Sequence, residues 1–571
     1  MRQAVHLGLL LAVALSLAAC AAPAARLATD ASPRGPERPA APKRIVASIM
    51  DEPPVLSSQL GPPSARGLDA VEELVHAGMA TIDRQGMLRP QLAEAAPSIE
   101  NGLWRVLPDG RMETTWRIKP DARWHDGTPV TAEDFRFTLQ VAQDREIAVF
   151  RDVSHDAIDN VTVVDPRTVT VAWSKPYIAA DRLFTNQSTM PHPRHLLEAS
   201  FSADRSAYTQ LPYWSEQFVG AGPYRVRDWA LGSHLTLAAF DQYVLGRPRI
   251  DEIEVRFIPD PNALAATVLA GAVELTLGRG LDVEQAVRIR DQWREGKMDV
   301  SSLNWLVLWP QHINANPAVV TEPQFRRALM HATDRQQLVD NLMSGVTSVA
   351  HSYVSPDDPD YRDVESRIVR YEFDPRRATP MIEALGYTRG ADGVFRDAAG
   401  QRLGLEIRTT AGDLLREKVL LSVADDWQRV GVAADPFIVP RQRASDQEYR
   451  ATFPAFELVR QPNTNAAIAT LHSRASRLPE NNYVGVGGTN YARYMNPQFD
   501  ALIDRFFVTI PRAERARVLA DIVGHVSDQL SAMGMFYAAN PSMIANRMIN
   551  VAARTQHSTE TWNAHEWDIA S

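Results

Sequence analysis

Cysteine is nearly absent from this sequence, since Cys20 is the only one among 571 residues. A single thiol excludes a disulfide within the chain and a metal site built from cysteines. Basic residues are no more abundant than acidic ones: 60 Lys and Arg stand against 69 Asp and Glu, without a basic stripe. This balance argues against nucleic-acid binding. After residue 22 there is no run of about 20 apolar residues, so the sequence predicts no membrane-spanning helix in the body of the chain.

The one cysteine follows a short amino-terminal segment of distinctive composition. Arg2 supplies a positive start, residues 7–17 are an apolar run too short to span a bilayer, and the sequence LAAC occupies positions 17–20. We predict a secretory signal peptide over residues 1–19. The LAAC segment resembles the lipobox of bacterial lipoproteins, which implies a lipid on Cys20 and an extracytoplasmic, membrane-anchored protein in the periplasm or on the cell surface. An ordinary signal peptide with an incidental cysteine is the alternative.

A tether is predicted between the signal peptide and the folded body. Residues 20–43 are rich in Ala, Pro and Arg and have little to bury, so they are expected to be disordered. The folded body is expected to begin near Arg44, with a buried strand over residues 45–49. At 45% hydrophobic residues, the remaining chain can form a sizeable core in two or three domains.

Local patterns predict strands that alternate with helices. Residues 114–119 (TTWRIK) alternate as a half-buried strand does, and Thr131 is a cap residue ahead of a helical apolar stripe. Thr333 and Gln336 have the spacing of a capping box for a second helix. Residues 413–429 predict a further helix, which leads into a strand over residues 432–439. This alternation indicates an α/β fold.

Five segments resemble, in order and spacing, the motifs of the bacterial extracellular solute-binding proteins of family 5. These proteins are the peptide-, nickel- and oligosaccharide-binding receptors of ABC importers. The five segments are WRIKPDARWHDGTPVTAEDF (116–135), VGAGPYRV (219–226), DQYVLGRP (241–248), FRRALMHATDR (325–335) and YMNPQFD (494–500).

The resemblance implies an α/β, two-lobed fold of the periplasmic-binding-protein type with an extra inserted subdomain. Two crossing segments would join the lobes, and we expect them near residues 301–314 and 533–539. Lobe one would comprise residues 44–85, 206–303 and 533–571, the inserted subdomain residues 86–205, and lobe two residues 304–532.

The resemblance also implies a function. The chain is expected to be the substrate-binding lipoprotein of an ABC importer, a monomer that captures a peptide-like or other small organic solute and delivers it to the membrane permease. No enzymatic activity, cofactor or metal is implied. A membrane-tethered sensor or chaperone with the same fold is the alternative, and a peptide, an opine, a nickel complex and an oligosaccharide all stay open as ligands.

The expected ligand region departs from the family pattern at one place. In peptide-binding members, an aspartate on a cleft strand of the second lobe pairs with the amino group of the peptide. The matching segment here, FELVRQPNTN (456–465), has Arg460 and Gln461 instead. Because a guanidinium repels an ammonium, we predict that this segment does not hold a peptide amino terminus and that Arg460 faces an acidic group of the ligand. A solvated or ion-paired Arg460 is the alternative.

Aromatic and loop residues complete the predicted site. Trp305 and Trp309 share one face of an alternating strand at the first expected crossing, where they could stack on an organic ligand or pack in the core. Ser64 and Arg66 on the first lobe and Tyr491 on the second are further candidates for ligand contact.

Two histidine arrangements invite a catalytic or metal-binding interpretation. His125 and Asp126 are adjacent in the first family-like segment, where a structural role is favoured. His192 and His195 are three residues apart, but a proline lies between them and no acidic third ligand is near, so no metal site is predicted.

Overall fold

The computed structural model describes residues 41–570, except for residues 63–64, 151–152, 279 and 486–487. Cys20, the predicted signal peptide, nearly all of the predicted tether and Ser64 lie outside the described residues. The first strand begins at Arg44, where the sequence predicts the start of the folded body.

The described residues form strands and helices that alternate along much of the chain. The strands are β1 Arg44–Ile49, β2 Ala80–Ile82, β3 Leu88–Pro90, β4 Trp104–Val106, β5 Met112–Arg117, β6 Ile158–Asp165, β7 Thr168–Trp173, β8 Tyr224–Ala230, β9 His234–Ala239, β10 Glu252–Phe257, β11 Leu275–Thr276, β12 Gly296–Pro310, β13 Thr388–Arg389, β14 Phe395–Arg396, β15 Gly404–Thr410, β16 Ala433–Val439, β17 Phe456–Pro462, β18 Met533–Ala545, β19 Met548–Ile549 and β20 Asp568–Ile569. The α-helices are α1 Leu68–Val75, α2 Ala132–Ala142, α3 Arg194–Ala203, α4 Arg205–Tyr208, α5 Pro261–Leu269, α6 Val283–Gln292, α7 Pro323–Ala332, α8 Arg335–Met343, α9 Tyr361–Val364, α10 Pro375–Glu383, α11 Leu414–Arg429, α12 Gln447–Ala451, α13 Pro497–Val508 and α14 Arg512–Gln529.

One large mixed sheet organises these elements. Its ten strands follow the order β16-β15-β17-β12-β18-β11-β1-β10-β9-β8. At one end, β15 is parallel to both β16 and β17. At the other end, β1 is parallel to β10, and β10, β9 and β8 form an antiparallel meander. A separate four-stranded antiparallel sheet, β4-β5-β7-β6, is formed by residues 104–173.

Two long antiparallel strands, β12 and β18, connect the two ends of the large sheet. They have 15 and 13 residues, and their pairing extends from Gly296 opposite Ala545 to Leu308 opposite Met533. The second half of β12 also pairs with β17, whereas β18 pairs with β11 near its carboxyl end. The pairing register shifts at Leu303, an extra residue on β12 that forms a β-bulge. β18 contains the whole expected crossing segment 533–539, whereas β12 contains residues 301–310 of the segment expected at 301–314 and ends before residues 311–314.

Buried side chains alternate between the two faces of β12. Leu306 and Leu308 pack with α7 and α11 in one hydrophobic group. Trp305, Val307 and Trp309 pack with α13 and α14 in another. The period of two along this strand therefore places both tryptophans on one face, as the sequence predicts.

The first family-like segment is built into the core of the small sheet. Trp116 and Trp124 are fully buried there. The backbone N–H of Thr131 donates to the Asp134 carboxylate at 2.8 Å in a capping box that begins α2. The role of this segment is structural, as favoured from the sequence.

The first and second family-like segments contact each other through His125. Its Nε2 lies 3.1 Å from the Gly222 carbonyl oxygen, and the Gly220 N–H donates to its Nδ1 at 3.2 Å. Burial lowers the pKa of His125 to about 4, so the ring is neutral at pH 7. A Cβ on Gly222 would lie 2.4 Å from the His76 backbone nitrogen, so only glycine permits the second segment to approach the carboxyl end of α1 this closely.

The predicted capping box of α8 is wrong. The N-cap is Asp334, whose carboxylate accepts the Gln337 N–H at 2.9 Å. The Thr333 hydroxyl donates to the Leu329 carbonyl of the preceding helix and accepts the Trp427 indole N–H at 2.9 Å. Packing between helices therefore determines the role of Thr333. A local sequence pattern contains no information about such packing.

Candidate functional site

A cavity of about 260 Å³ lies beside β12, one of the two long strands that connect the ends of the large sheet. Residues of α1, of the segments 186–190 and 554–559, and of the loop before α1 form most of its wall. Leu303, at the β-bulge of β12, and Thr464, just after β17, complete it. Segments that are distant in the sequence thus form one cavity beside β12.

Carboxylates from α1 dominate the polar lining of this cavity. Asp69, Glu72 and Glu73 follow the spacing i, i+3, i+4, which places them on one face of the helix. Glu72 is 5% exposed and accepts the Ser58 N–H at 2.9 Å. Burial raises its pKa to about 7, and the charges of Asp69 and Glu73 add to this rise.

Glu73 is held by neutral donors from three other segments. It accepts hydrogen bonds from the Thr81 hydroxyl at 2.6 Å, from the Asn186 amide at 3.0 Å and from the Thr559 hydroxyl. Burial raises the pKa of Glu73. This side chain therefore joins α1 to the segments on either side of the cavity.

One guanidinium lines the cavity among the described residues, and its charge is already matched. Arg554 contacts Asp69 at 3.0 Å and Glu560 at 3.1 Å. Within the described part of the chain, no cation lies within ion-pair distance of Glu72 or Glu73. Three carboxyl side chains and one guanidinium therefore line the cavity among the described residues.

The predicted aromatic residues form a separate, nearly closed group between β12 and the elements that pack on it. Trp305 and Trp309 are 4% and 3% exposed and surround a void of about 20 Å³ together with Tyr353 and Gln461. Tyr491 stacks on Trp309 with ring centroids 6.2 Å apart. The structure brings four predicted residues together here: Trp305, Trp309, Gln461 and Tyr491.

Arg460 and Gln461 face opposite sides of the sheet. Gln461 lies opposite Trp305 and Arg460 opposite Leu306 in the pairing of β17 with β12. The Arg460 side chain is 32% exposed and contacts the Asp413 carboxylate at 3.1 Å. Asp413 also caps α11. Arg460 is therefore ion-paired here, which is the alternative that the sequence leaves open.

Two further arginines lie near the carboxyl ends of the parallel strands β15 and β16. Arg416, in the first turn of α11, contacts Asp413 as Arg460 does, and Arg441 follows β16 and approaches Gly412. Ligands of α/β sheets commonly bind at the carboxyl ends of parallel strands.

The remaining sequence predictions fall outside these groups. Arg66 is exposed, and its guanidinium contacts the Met50 sulfur at 3.4 Å. His195 pairs with Asp126 at 2.6 Å, whereas buried His192 contacts the Tyr208 hydroxyl at 3.1 Å, so the two histidines share no ligand position. Across the described residues, no group of three or more His, Cys, Asp or Glu side chains could hold a metal ion.

The acidic wall of the cavity was missed from the sequence. The sequence does contain a signal, because the segment LDAVEELV (68–75) places its three acidic residues on one face of an otherwise apolar helix. The other wall residues, such as Asn186 and Arg554, are distant in the sequence and carry no local pattern that could identify them.

Two long strands connect the two ends of the large sheet, and a cavity lies beside them. This arrangement is that of a two-lobed binding protein of the periplasmic-binding-protein type. Comparison with known families agrees. The family model of the bacterial extracellular solute-binding proteins, family 5 (middle region), matches residues 88–476. The chain belongs to this family of extracytoplasmic binding proteins, and the predicted fold class is confirmed.

Individual relatives support the same assignment. The chain is 22% identical over 576 residues to the oligopeptide-binding protein AppA of Bacillus subtilis, covering 99% of this chain and 98% of that protein. The structure of that AppA with a nonapeptide matches with a TM-score of 0.65 and 19% identity over 93% of this chain and all of the other. NikZ of Campylobacter jejuni, solved with Ni(L-His), matches with a TM-score of 0.67 and 19% identity over 92% of this chain and 99% of the other.

Of the helices that the structure describes, none has the length and apolar composition needed to cross a bilayer.

Proposed function

We propose that this protein is the substrate-binding component of an ABC importer, which captures a small organic or peptide-like solute and delivers it to the membrane permease. The observation that carries the proposal is the cavity beside β12, whose wall joins α1 and the segment 554–559 to Thr464, just after β17. Membership of the family and the oligopeptide-binding relative support it. The protein would bind its solute without altering it chemically, as a monomer.

The lobes would follow the borders expected from the sequence: residues 44–85, 206–303 and 533–571 for lobe one, 86–205 for its inserted subdomain, and 304–532 for lobe two. Separate hydrophobic groups on the two sides of the crossing strands support this division. Closure of the lobes would bury the solute, because a ligand stabilises the conformation that it binds more tightly.

The solute would contact both lobes. On lobe two, Trp305, Trp309 and Tyr491 would supply an aromatic surface, Gln461 a polar group, and Arg460 a partner for an acidic group of the solute. On lobe one, Ser64 and Arg66 would contact the solute. The place of Arg460 near the carboxyl ends of the parallel strands β15–β17 supports its assignment.

A lipid on Cys20 would hold the protein at a membrane outside the cytoplasm. The lipobox-like sequence LAAC supports this proposal. Several acyl chains would make such an anchor stable, whereas a single chain would be marginal.

Native mass spectrometry tests the proposed function. Residues 22–571, which contain every described element, are purified from a bacterial host and compared before and after denaturation. A small molecule released only on denaturation is the expected result, and its mass separates a peptide from a sugar or a metal complex. An empty protein that also fails to bind any member of a peptide and organic-acid panel would contradict the proposal.

A further inference from the structure

One pair of ionisable side chains joins the two proposed lobes directly. His557 belongs to the carboxyl-terminal segment of lobe one, and Asp358 lies between α8 and α9 on lobe two. The His557 Nε2 atom lies 3.7 Å from the Asp358 Oδ2 atom, which is close enough for an ion pair once the ring is protonated. Because the two residues lie on different lobes, separation of the lobes would break this contact.

Asp358 is a buried carboxylate whose cationic partner can only be His557. It is 6% exposed, and its Oδ1 atom accepts the Asp360 N–H at 2.8 Å. Among the described residues, no Lys or Arg side chain lies within ion-pair distance of Asp358, since the guanidinium of Arg512 pairs with Asp360 instead. A buried carboxylate is costly unless a cation or several donors replace its lost hydration. A protonated His557 supplies this cation.

The surroundings of His557 can accept a proton on Nε2. The Gln556 Nε2 atom lies 3.3 Å from this ring nitrogen, whereas the Oε1 atom of the same amide is buried without a hydrogen-bond partner among the described residues. A half-turn of a side-chain amide exchanges its nitrogen and oxygen. The turned amide of Gln556 offers a protonated ring an oxygen acceptor in addition to the Asp358 carboxylate.

Other charged groups around His557 come from its own segment, from α1, from the turn between β2 and β3 and from lobe two. They are Arg554, Asp69, Glu72, Glu73, Asp83, Arg89, Asp357, Asp360 and Arg512. The three arginines among them pair with carboxylates of their own lobe. These internal pairs leave Asp358 as the carboxylate that meets His557 across the lobes.

We propose that His557 and Asp358 form a pH-dependent latch, in which proton uptake by His557 completes an ion pair across the lobes and stabilises the closed form. The inference rests on the proposed function, because it requires lobes that separate and close. An imidazole ordinarily changes its charge between pH 5 and 8. Only the closed form places the ring beside this carboxylate, so the closed form binds the proton more tightly than the open form. By linkage, the closed population rises as the pH falls through this range.

Two further carboxylates respond to pH in the same range. Burial raises the pKa of Glu72 to about 7 and that of Asp181, which lies near Arg515 of lobe two, to about 6. Where closure buries a carboxylate, its protonation favours the closed form too. The pH dependence of the unaltered protein is therefore a sum, and variants have to assign the share of His557.

Single-molecule energy transfer between the lobes tests the inference without a solute. Residues 22–571 contain no cysteine, because Cys20 is the only one in the chain. Lys175→Cys and Arg362→Cys, at exposed positions of the inserted subdomain and of lobe two, therefore carry the donor and acceptor dyes. The ratio of high-transfer to low-transfer molecules reports the closed against the open form. We expect this ratio to rise at least about fivefold from pH 8 to pH 5.5.

Asp358→Asn and His557→Gln assign the effect to the latch. Asn keeps the size of the side chain and the acceptor for the Asp360 N–H but removes the charge, whereas Gln removes the titrating ring. Each variant should reduce the pH-dependent change at least about threefold, and the double variant should reduce it no further, because either change removes the same ion pair. Asp126→Asn is the matched control, since Asp126 pairs with His195 inside the inserted subdomain. It should leave the pH dependence unchanged.

A ratio that stays constant between pH 8 and pH 5.5 in the unaltered protein would overturn the inference. The same pH dependence in Asp358→Asn as in the unaltered protein would also overturn it. Should Asp358→Asn not fold, His557→Gln decides by the same comparison. Each of these negative results leaves the proposed function intact, because capture of a solute is tested separately by native mass spectrometry.

Discussion

Burial changes the acid–base behaviour of Glu72. Its pKa is raised from 4.5 to about 7 in the folded protein. Because the folded state binds the proton more tightly than the unfolded state, the free energy of unfolding falls as pH rises from about 4.5 through 7. Asp69 and Glu73 on α1 and Arg554, His557 and Glu560 on the carboxyl-terminal segment are the titratable and charged groups around it.

The first prediction follows at the scale of this residue. Glu72→Gln should raise the free energy of unfolding of the unliganded protein at pH 8, by up to about 3 kcal/mol for a shift of roughly two pKa units. Near pH 4 the variant and the unaltered protein should be equally stable. Urea unfolding at both pH values measures the difference, and a gain that is the same at pH 4 and pH 8 would contradict the assigned pKa. Glu284→Gln, on the exposed surface, should show no such gain.

The second residue-scale prediction concerns Arg460. If it pairs with an acidic group of the solute, Arg460→Ala should weaken binding of the solute released by denaturation about tenfold or more, as expected for a hydrogen bond between charged groups. Arg429→Ala is a suitable control, because Arg429 is likewise ion-paired but lies at the far end of α11. Calorimetric titration measures both affinities. Unchanged affinity in Arg460→Ala would mean that this side chain pairs with Asp413 and does not bind the solute.

At the scale of elements, the cap of α8 shows where tertiary contacts override a local sequence pattern. Asp334→Ala should lower the free energy of unfolding by about 1 kcal/mol, because it removes the acceptor for the Gln337 N–H. Gln336→Ala should cost only a few tenths, since it removes an exposed i,i+4 contact with Asp340. Urea denaturation measures the free energy of unfolding of both variants. A larger loss of this free energy in Gln336→Ala than in Asp334→Ala would support the cap predicted from the sequence.

Elements with strong local patterns could be predicted, whereas the site could not. The strand at 112–117, the capped helix at 132–142 and the helix at 414–429 agree with their sequence patterns, because alternation and capping are local properties. Thr333 was misassigned because Trp427, 94 residues away, competes for its hydroxyl. The cavity was missed because its wall joins α1 to residues near the carboxyl terminus.

For the whole molecule, the crossing strands determine how the two ends of the sheet can move. Polar contacts between the proposed lobes include Asp358 with His557 at 3.7 Å and Arg515 near the buried carboxylate of Asp181. Apolar contacts add to them, because Ile178 and Ile510 each pack against a hydrophobic group of the other lobe. The β-bulge at Leu303 interrupts the ladder between β12 and β18 at the cavity, where a hinge would bend.

The whole-molecule prediction is therefore that solute binding closes the protein. The radius of gyration from small-angle X-ray scattering should decrease when the released solute is added back to protein freed of it. Solute at 100 times its Kd should also add about 2.7 kcal/mol to the free energy of unfolding. Buffer containing an unrelated solute of equal charge is the control. A stabilised protein with an unchanged radius of gyration would contradict closure but not binding.

The wall of the cavity has a consequence for the timing of synthesis. Its residues range from Ser58 to Thr559, so the segment 554–559 is synthesised long after α1. A growing chain that ends before Arg554 lacks this wall and with it Gln556. Capture of a solute in this cavity must therefore wait until the segment 554–559 has been synthesised and has folded against α1.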